Sequence, residues 1–232
     1  MDLIVEAVQE AWRLLRTGDN AIYEITLRTA VITGFSTLVA ALIGLPLGLW
    51  VALGRFPGQR AFVSLANAGT GMPPVVAGLV VAMLLWRSGP LGALGLIYTP
   101  YAIVVAQALI ATPIIVAVTA GAVMALPPTL HLQIRAMGAG STRTLWLVAR
   151  EARLPILVAV MAGFGSVVSE VGASMMVGGN LSGETRVLTT AAVLEVSQGN
   201  FGTALALGFI LLAMIVAVAA ILTGVQYRAR RR

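Results

Sequence analysis

Uncharged apolar runs divide this chain into segments. Residues 29–54 and 61–86 are each 26 positions without a charge, bounded by Arg28 and Arg55 and by Arg60 and Arg87. About 20 helical residues, at ~1.5 Å each, cross ~30 Å of hydrocarbon. Either run is therefore long enough to span a bilayer. A third uncharged run, 88–130, holds 43 positions and splits at SGPLGALGLIYTP, where glycines and prolines mark a loop. That leaves a span over about 101–124. A fourth is expected over about 154–177 with Glu170 inside it, and a fifth over 203–227. The pattern predicts an all-α integral membrane protein with five transmembrane helices, which puts the termini on opposite sides.

The first twenty residues follow a different pattern. MDLIVEAVQEAWRLLRTGDN places Ile4, Val8, Trp12 and Leu15 on one helical face among Asp2, Glu6, Glu10, Arg13 and Arg16, with Gly18 as a stop. A cleaved signal peptide would start basic and run continuously apolar. The expectation is an amphipathic N-terminal helix over 1–20, lying on the membrane surface or packed on the protein's own flank. Residues 21–228 form the membrane domain, and 229–232 a basic tail.

Composition agrees, with 59% hydrophobic and only 10% charged residues. The chain has no cysteine, and all fifteen basic residues are arginine. Without lysine there is no P-loop, so any ATP and Mg is expected on a partner chain and no cofactor on this one. Nothing in the pattern points to nucleic acid. A membrane enzyme is the first rival class, but His131 is the sole histidine and falls in a loop. A secondary transporter is the second, and it usually shows internal repeats, which are not evident here.

Arginine placement predicts orientation. Arg55, Arg60, Arg135, Arg143, Arg150, Arg153, Arg228, Arg230, Arg231 and Arg232 fall on one side. Arg13, Arg16, Arg28, Arg87 and Arg186 fall on the other. The larger set marks the cytoplasm, so the N-terminus is expected outside and the C-terminus inside. Trp86, Tyr98 and Tyr101 would sit at the outer interface, Trp50 and Tyr227 at the inner one.

A basic stretch, IRAMGAGSTRTLWLVAREARLP, interrupts the oil at 134–155. Pro127-Pro128 ends a span and opens a helix on which Leu130, Ile134 and Met137 share a face. Gly138-Ala139-Gly140 breaks it, and Ser141 is a suitable N-cap for a second helix. Leu145, Val148, Ala149 and Ala152 form that helix's apolar stripe. A topology signal needs only charge; two ordered amphipathic helices at a glycine joint predict a docking knob. Its contact residues are Arg135, Ala136, Met137, Gly138, Ala139, Gly140 and Ser141, within a cytoplasmic loop of about 125–154.

This layout resembles the membrane subunit of bacterial ABC importers, whose loop reads E-A-A-x-x-x-G and then, nine residues on, I-x-L-P. Gly138 matches the motif glycine. Leu132, Gln133 and Ile134 stand at the E-A-A positions, and Leu154-Pro155 comes four residues late. GMPPVVAGLVV (71–81), RSGPLGALGLIYTPYAIVVAQ (87–107) and SEVGASMMVGGNLSGETRVLTTAAVLE (169–195) are similar to the tungstate-type permeases of that group, with molybdate and sulfate permeases close behind. The resemblance implies a homodimer in the bacterial inner membrane, a dimeric cytoplasmic ATP-binding subunit seated on the loop, an extracytoplasmic substrate-binding protein, and oxyanion cargo.

A transport path needs polar groups or open backbone at depth. Thr70, Gly71, Pro73 and Pro74 supply helix breakers inside the second span and are expected to line it. Pro46 and Thr112-Pro113 read as ordinary kinks, and Gly44 with Gly48 as a close-packing pair, within or between subunits. Glu170, the one formal charge well inside a span, is a functional candidate. A carboxylate repels an oxyanion, so a structural pair or gate with Arg28 or Arg186 is expected over ligation. Met175 and Met176 are gate candidates, or core packing. LTTAAVLE (188–195) reads as a short helix capped by Thr189 or Thr190, a plug at the outer mouth or a surface hairpin. Arg186 and that helix's free NH groups are candidates to meet an anion. No cation falls deep in any span, so passage is expected to be weakly binding, with selectivity held by the capture protein.

Overall fold

A computed structural model of the protein describes residues 2–17, 20–54 and 56–230. Gly18, Arg55, Arg231 and Arg232 lie outside the described residues, as do the side chains of Leu15, His131, Arg135 and Arg230. The described residues are helical, with no strand. Their order is α1 Asp2–Thr17, α2 Asn20–Leu53, α3 Gln59–Thr70, α4 Pro74–Leu85, a 3-10 turn at Gly92–Leu94, α5 Pro100–Met124, α6 Pro128–Ala136, α7 Ser141–Glu151, α8 Arg153–Val168, α9 Gly172–Gly178, α10 Leu188–Ser197 and α11 Phe201–Arg230.

Three helices, α2, α5 and α11, are long and apolar enough to cross a membrane unbroken. The second and fourth expected spans are not straight. Helix α3 turns into α4 through 102° inside the second, and the knob helix α7 turns into α8 through 73° just before the fourth begins. Counted as one span each, the bent pairs bring the total to five. The fourth run breaks at 169–171, so Glu170 lies between two helices instead of inside one.

Helix α5 is the centre of the bundle. The most apolar stretch of α5 is 61% buried, against 39% for α2 and 17% for α11. Small residues on α2 make that possible. Gly44 lies against Ile115, and Gly48 against Thr119. A Cβ on Gly48 would stand 2.8 Å from the Thr119 Cβ. The glycine pair thus serves packing within one subunit, where backbone approach replaces side-chain bulk. Outward-facing Leu42, Val31, Leu212, Val216 and Ile221 stay exposed, as expected of surfaces solvated by lipid.

Helix α1 has two apolar faces. Ala7, Ala11 and Leu14 are buried, and the last two pack with Ala206 of α11. Ile4, Val8 and Trp12 of the expected stripe point outward. The Arg16 guanidinium lies 5.0 Å from the Trp12 ring centroid. Ala11 meeting Ala206 lets the two helices approach on this side.

Candidate functional site

Two helix breaks and one loop hold most of the candidate residues. The first break is 71–73. Gly71 and Met72 close α3 by donating NH groups to the carbonyls of Ala68 and Gly69. Pro73 is extended, and Pro74 occupies the first turn of α4, where its missing NH costs nothing. Gly69 sits against Pro113, the kink residue of α5, with room for no side chain: a Cβ there would lie 2.6 Å from the Pro113 Cβ. Thr70 and Gly71 are exposed, and the Thr70 hydroxyl donates to Asn67 O at 2.6 Å.

The second break is 169–171, and its ends are stitched by protein groups. The Ser169 hydroxyl donates to Gly165 O at 3.1 Å. Glu170 NH donates to Val167 O at 3.2 Å. The Glu170 carboxylate, 8% exposed, accepts the Ala173 NH at 2.8 Å. It therefore caps α9, supplying charge to the positive end of a short helix. The expected partnership with Arg28 or Arg186 does not form. Arg28 gives its guanidinium to the carbonyls of Gly183, at 2.6 Å, and Arg186, at 3.4 Å. Arg186 donates to Asn180 O at 3.4 Å, and its buried Nε has no partner. The reason is position: both arginines are committed to the carbonyls of the 178–187 loop.

The helices that follow the two breaks lie together. A Cβ on Gly78 of α4 would fall 2.6 Å from the Ala173 Cα of α9, and one on Gly172 would fall 3.0 Å from Val75 Cγ2. Met176 Sδ comes within 3.3 Å of the same Gly78 position. Met175 is half-buried and Met176 exposed. The α4–α9 contact joins the two breaks into one unit.

Helix α10 begins where expected, but its start is not open to an anion at every NH. Leu188 NH donates to Thr29 Oγ1 at 2.9 Å, and Val187 NH to Thr190 Oγ1 at 3.1 Å. Thr190 thus reaches back from the first turn instead of capping from outside. Thr189 donates to Glu170 O at 3.0 Å, which ties α10 to the second break. Residues Tyr98 and Asn180 have left-handed φ of 63° and 52°. Tyr98 donates its NH to Val177 O at 2.8 Å, so the two loops beside α9 hold each other.

One buried network was absent from the sequence expectations. Gln107 of α5, 1% exposed, accepts from Ser36 Oγ at 2.8 Å and donates to Val167 O and Ser174 Oγ at 3.4 Å. A lone amide in the apolar run 102–111 was the available signal. Thr29, Thr33 and Thr37, on the same helix as Ser36, are also buried.

At the other end, α6 and α7 form the bent knob. Ile134, Val148 and Ala152 bury against Leu49 and Val123. Gly138 has φ 74°, a conformation glycine adopts freely. Ala136, Met137, Gly138, Gly140 and Ser141 are exposed, and Ala139 is half-buried. Two details differ from expectation. Ser141 is the first residue of α7, while Gly140 takes the cap position and no side chain caps the helix. Met137 is 75% exposed and leaves the apolar face, because Gly138 turns the chain away there. Trp146, also exposed, carries the Arg150 guanidinium 5.4 Å from its ring centroid. Among the described residues no group of His, Cys, Asp and Glu could hold a metal ion.

Residues 44–231 match the family model for the binding-protein-dependent transport system inner membrane component. The chain is 41% identical to a Haloferax volcanii protein named a probable anion ABC transporter permease, covering 92% of this chain and 94% of that one. It is 34% identical to the tungstate uptake system permease protein TupB of Peptoclostridium acidaminophilum, over 97% and 99% of the two chains. Among solved structures it is similar in fold to a subunit of the MetNI methionine ABC transporter in an inward-facing conformation, with TM-score 0.69 at 21% identity, covering 95% of this chain and 96% of that one.

Proposed function

This chain belongs to the binding-protein-dependent transport system inner membrane component family, and on that premise we propose that it forms the translocation path of an ATP-driven oxyanion importer, with tungstate as cargo and molybdate second. The likeness to the Peptoclostridium tungstate permease, over nearly all of both chains, is the observation that carries the cargo. ATP and Mg bind to a cytoplasmic partner dimer, and this chain does no chemistry. Two copies of the chain enclose the path, and an extracytoplasmic binding protein delivers the ion. The N-terminus lies outside the cell membrane and the C-terminus in the cytoplasm.

Arg135, Ala136, Met137, Gly138, Ala139, Gly140 and Ser141 meet the ATPase. The knob's exposed rim and its seating on the bases of α2 and α5 support that role, since a push on the rim reaches two spans directly. Thr70, Gly71, Pro73, Pro74, Glu170, Met175, Met176, Arg186, Thr189 and Thr190 form the path and its gate. Backbone breaks at membrane depth are tolerated where they line a cavity or are buried in protein. That rule supports placing both breaks along the path between two copies of the chain.

Proteoliposomes holding the permease, its ATPase and its binding protein should take up tungstate on addition of internal ATP. Excess molybdate should compete more strongly than sulfate. If none of the three ions enters, the cargo assignment falls.

A further inference from the structure

We propose that Gln107 is a positioning residue that latches the broken fourth span shut, and that its release lets α4 and α9 swing together. The proposal rests on the importer function above, but the latch is a property of this chain alone.

Burying an amide in an apolar helix is costly unless it is hydrogen-bonded. Gln107 is bonded at both ends, and its partners lie on three other helices. Ser36 on α2 anchors the Oε1 at 2.8 Å. Val167 O and Ser174 Oγ, at 3.4 Å each, lie on opposite sides of the 169–171 break. One side chain therefore bridges both halves of the broken span and fixes them to the bundle's central helix.

The bond lengths distinguish anchor from latch. The anchoring bond has ordinary length, while the two bridging bonds are near the outer limit for N–H···O contacts. Release leaves the Val167 carbonyl satisfied and frees the Ser174 hydroxyl together with the amide. Val167 O keeps the Glu170 NH at 3.2 Å, and the single Ser36 hydroxyl proton has Ile32 O at 2.7 Å as its alternative acceptor. The freed amide is then met by water admitted at the opened break. Helix α9 does not move alone, because the Gly78–Ala173 and Gly172–Val75 contacts bind it to α4. The pair turns about 71–73 and 169–171.

The chain has no cysteine, so Val171→Cys places a single thiol in the break. In the assembled transporter, its reaction with a water-soluble maleimide reports opening whatever the cargo. Gln107→Leu should speed labelling about tenfold, the effect of ~1.4 kcal/mol. Ser174→Ala should speed it about threefold, near the worth of one weak bond. Gln107→Leu should also lower ion uptake per ATP hydrolysed while hydrolysis continues. Should Gln107→Leu fail to assemble, Ser36→Ala with Ser174→Ala provides the same readout. Unchanged labelling in the variants that assemble overturns the latch. So does a loss of protein with the uptake-to-hydrolysis ratio intact, which marks a packing residue only. If labelling in the Val171→Cys background follows the latch prediction but no oxyanion enters, the cargo is wrong and the latch stands.

Discussion

The α4–α9 junction and the α6–α7 knob are both joints, yet they are built in opposite ways. At the junction, glycines are pressed against other backbone: a Cβ on Gly78 would stand 2.6 Å from Ala173 Cα. At the knob, Gly138 and Gly140 have nothing within 4 Å of the position a Cβ would take. At the junction, the broken ends find their partners among Ser169, Glu170, Gln107 and Thr189. At the knob, the helix start at Gly140 has no side-chain cap. The first joint is complete within the chain. The second presents an open surface, which is what a docking element needs.

That contrast can be broken by substitution. Gly78→Val should have the largest effect on the folded state. The added carbons meet backbone that cannot rotate away, and overpacking of this kind costs about 1–3 kcal/mol or more. The yield and thermal midpoint of the solubilised complex should fall sharply, while Gly140→Ala should leave both near wild type. Equal losses would mean that the two joints are packed alike.

Thr29→Val should come next. It removes the acceptor for the buried Leu188 NH, and an unsatisfied buried donor costs about 1–3 kcal/mol. Thr33→Val is the matched comparison, because the Thr33 hydroxyl is bonded to carbonyls of its own helix. The thermal midpoint should drop more for Thr29→Val than for Thr33→Val.

The smallest effect concerns α1. The Arg13 guanidinium, hydrogen-bonded to the Glu10 carboxylate, holds that carboxyl below its ordinary value. A lowered folded value means that the pair's support is complete above the ordinary carboxylate range. It is lost as pH falls through the lowered value. Hydrogen-exchange protection of residues 7–14 should decline slightly on acidification, and Glu10→Gln should flatten that response. The pair is exposed, so its share is slight.

The unbroken spans were legible because α2, α5 and α11 are uninterrupted apolar runs. The bends were less so. Hydropathy averages over a break whose polar groups are satisfied internally, so 61–86 and 154–177 read as straight helices. Pro73-Pro74 betrayed the first break. The second has no proline, and its markers, Glu170 and Gly172, read as a charge and a small residue in a span. Partners were harder still. Glu170 was assigned to an arginine because charge suggests charge, whereas a backbone NH three residues on was nearer. Gln107 was missed because one amide in an apolar run gives no hint of which helices will surround it. The knob's glycine joint was readable from Gly138-Ala139-Gly140 alone, since it depends on local backbone freedom and not on distant contacts.

The central claim is that motion enters through the knob. Ala139→Arg with Gly140→Arg, introduced into the reconstituted transporter, tests it most directly by tungstate uptake per ATP hydrolysed. Gly140 has open space where a Cβ would stand, whereas Ala139 is half-buried against the knob's core, so Gly140→Arg alone, present in the membrane in normal amounts, serves as the folding control. The account predicts that uptake collapses, through a lost ATPase contact or hydrolysis without transport. Full uptake by the doubly charged variant, with the ATPase still bound, would contradict it.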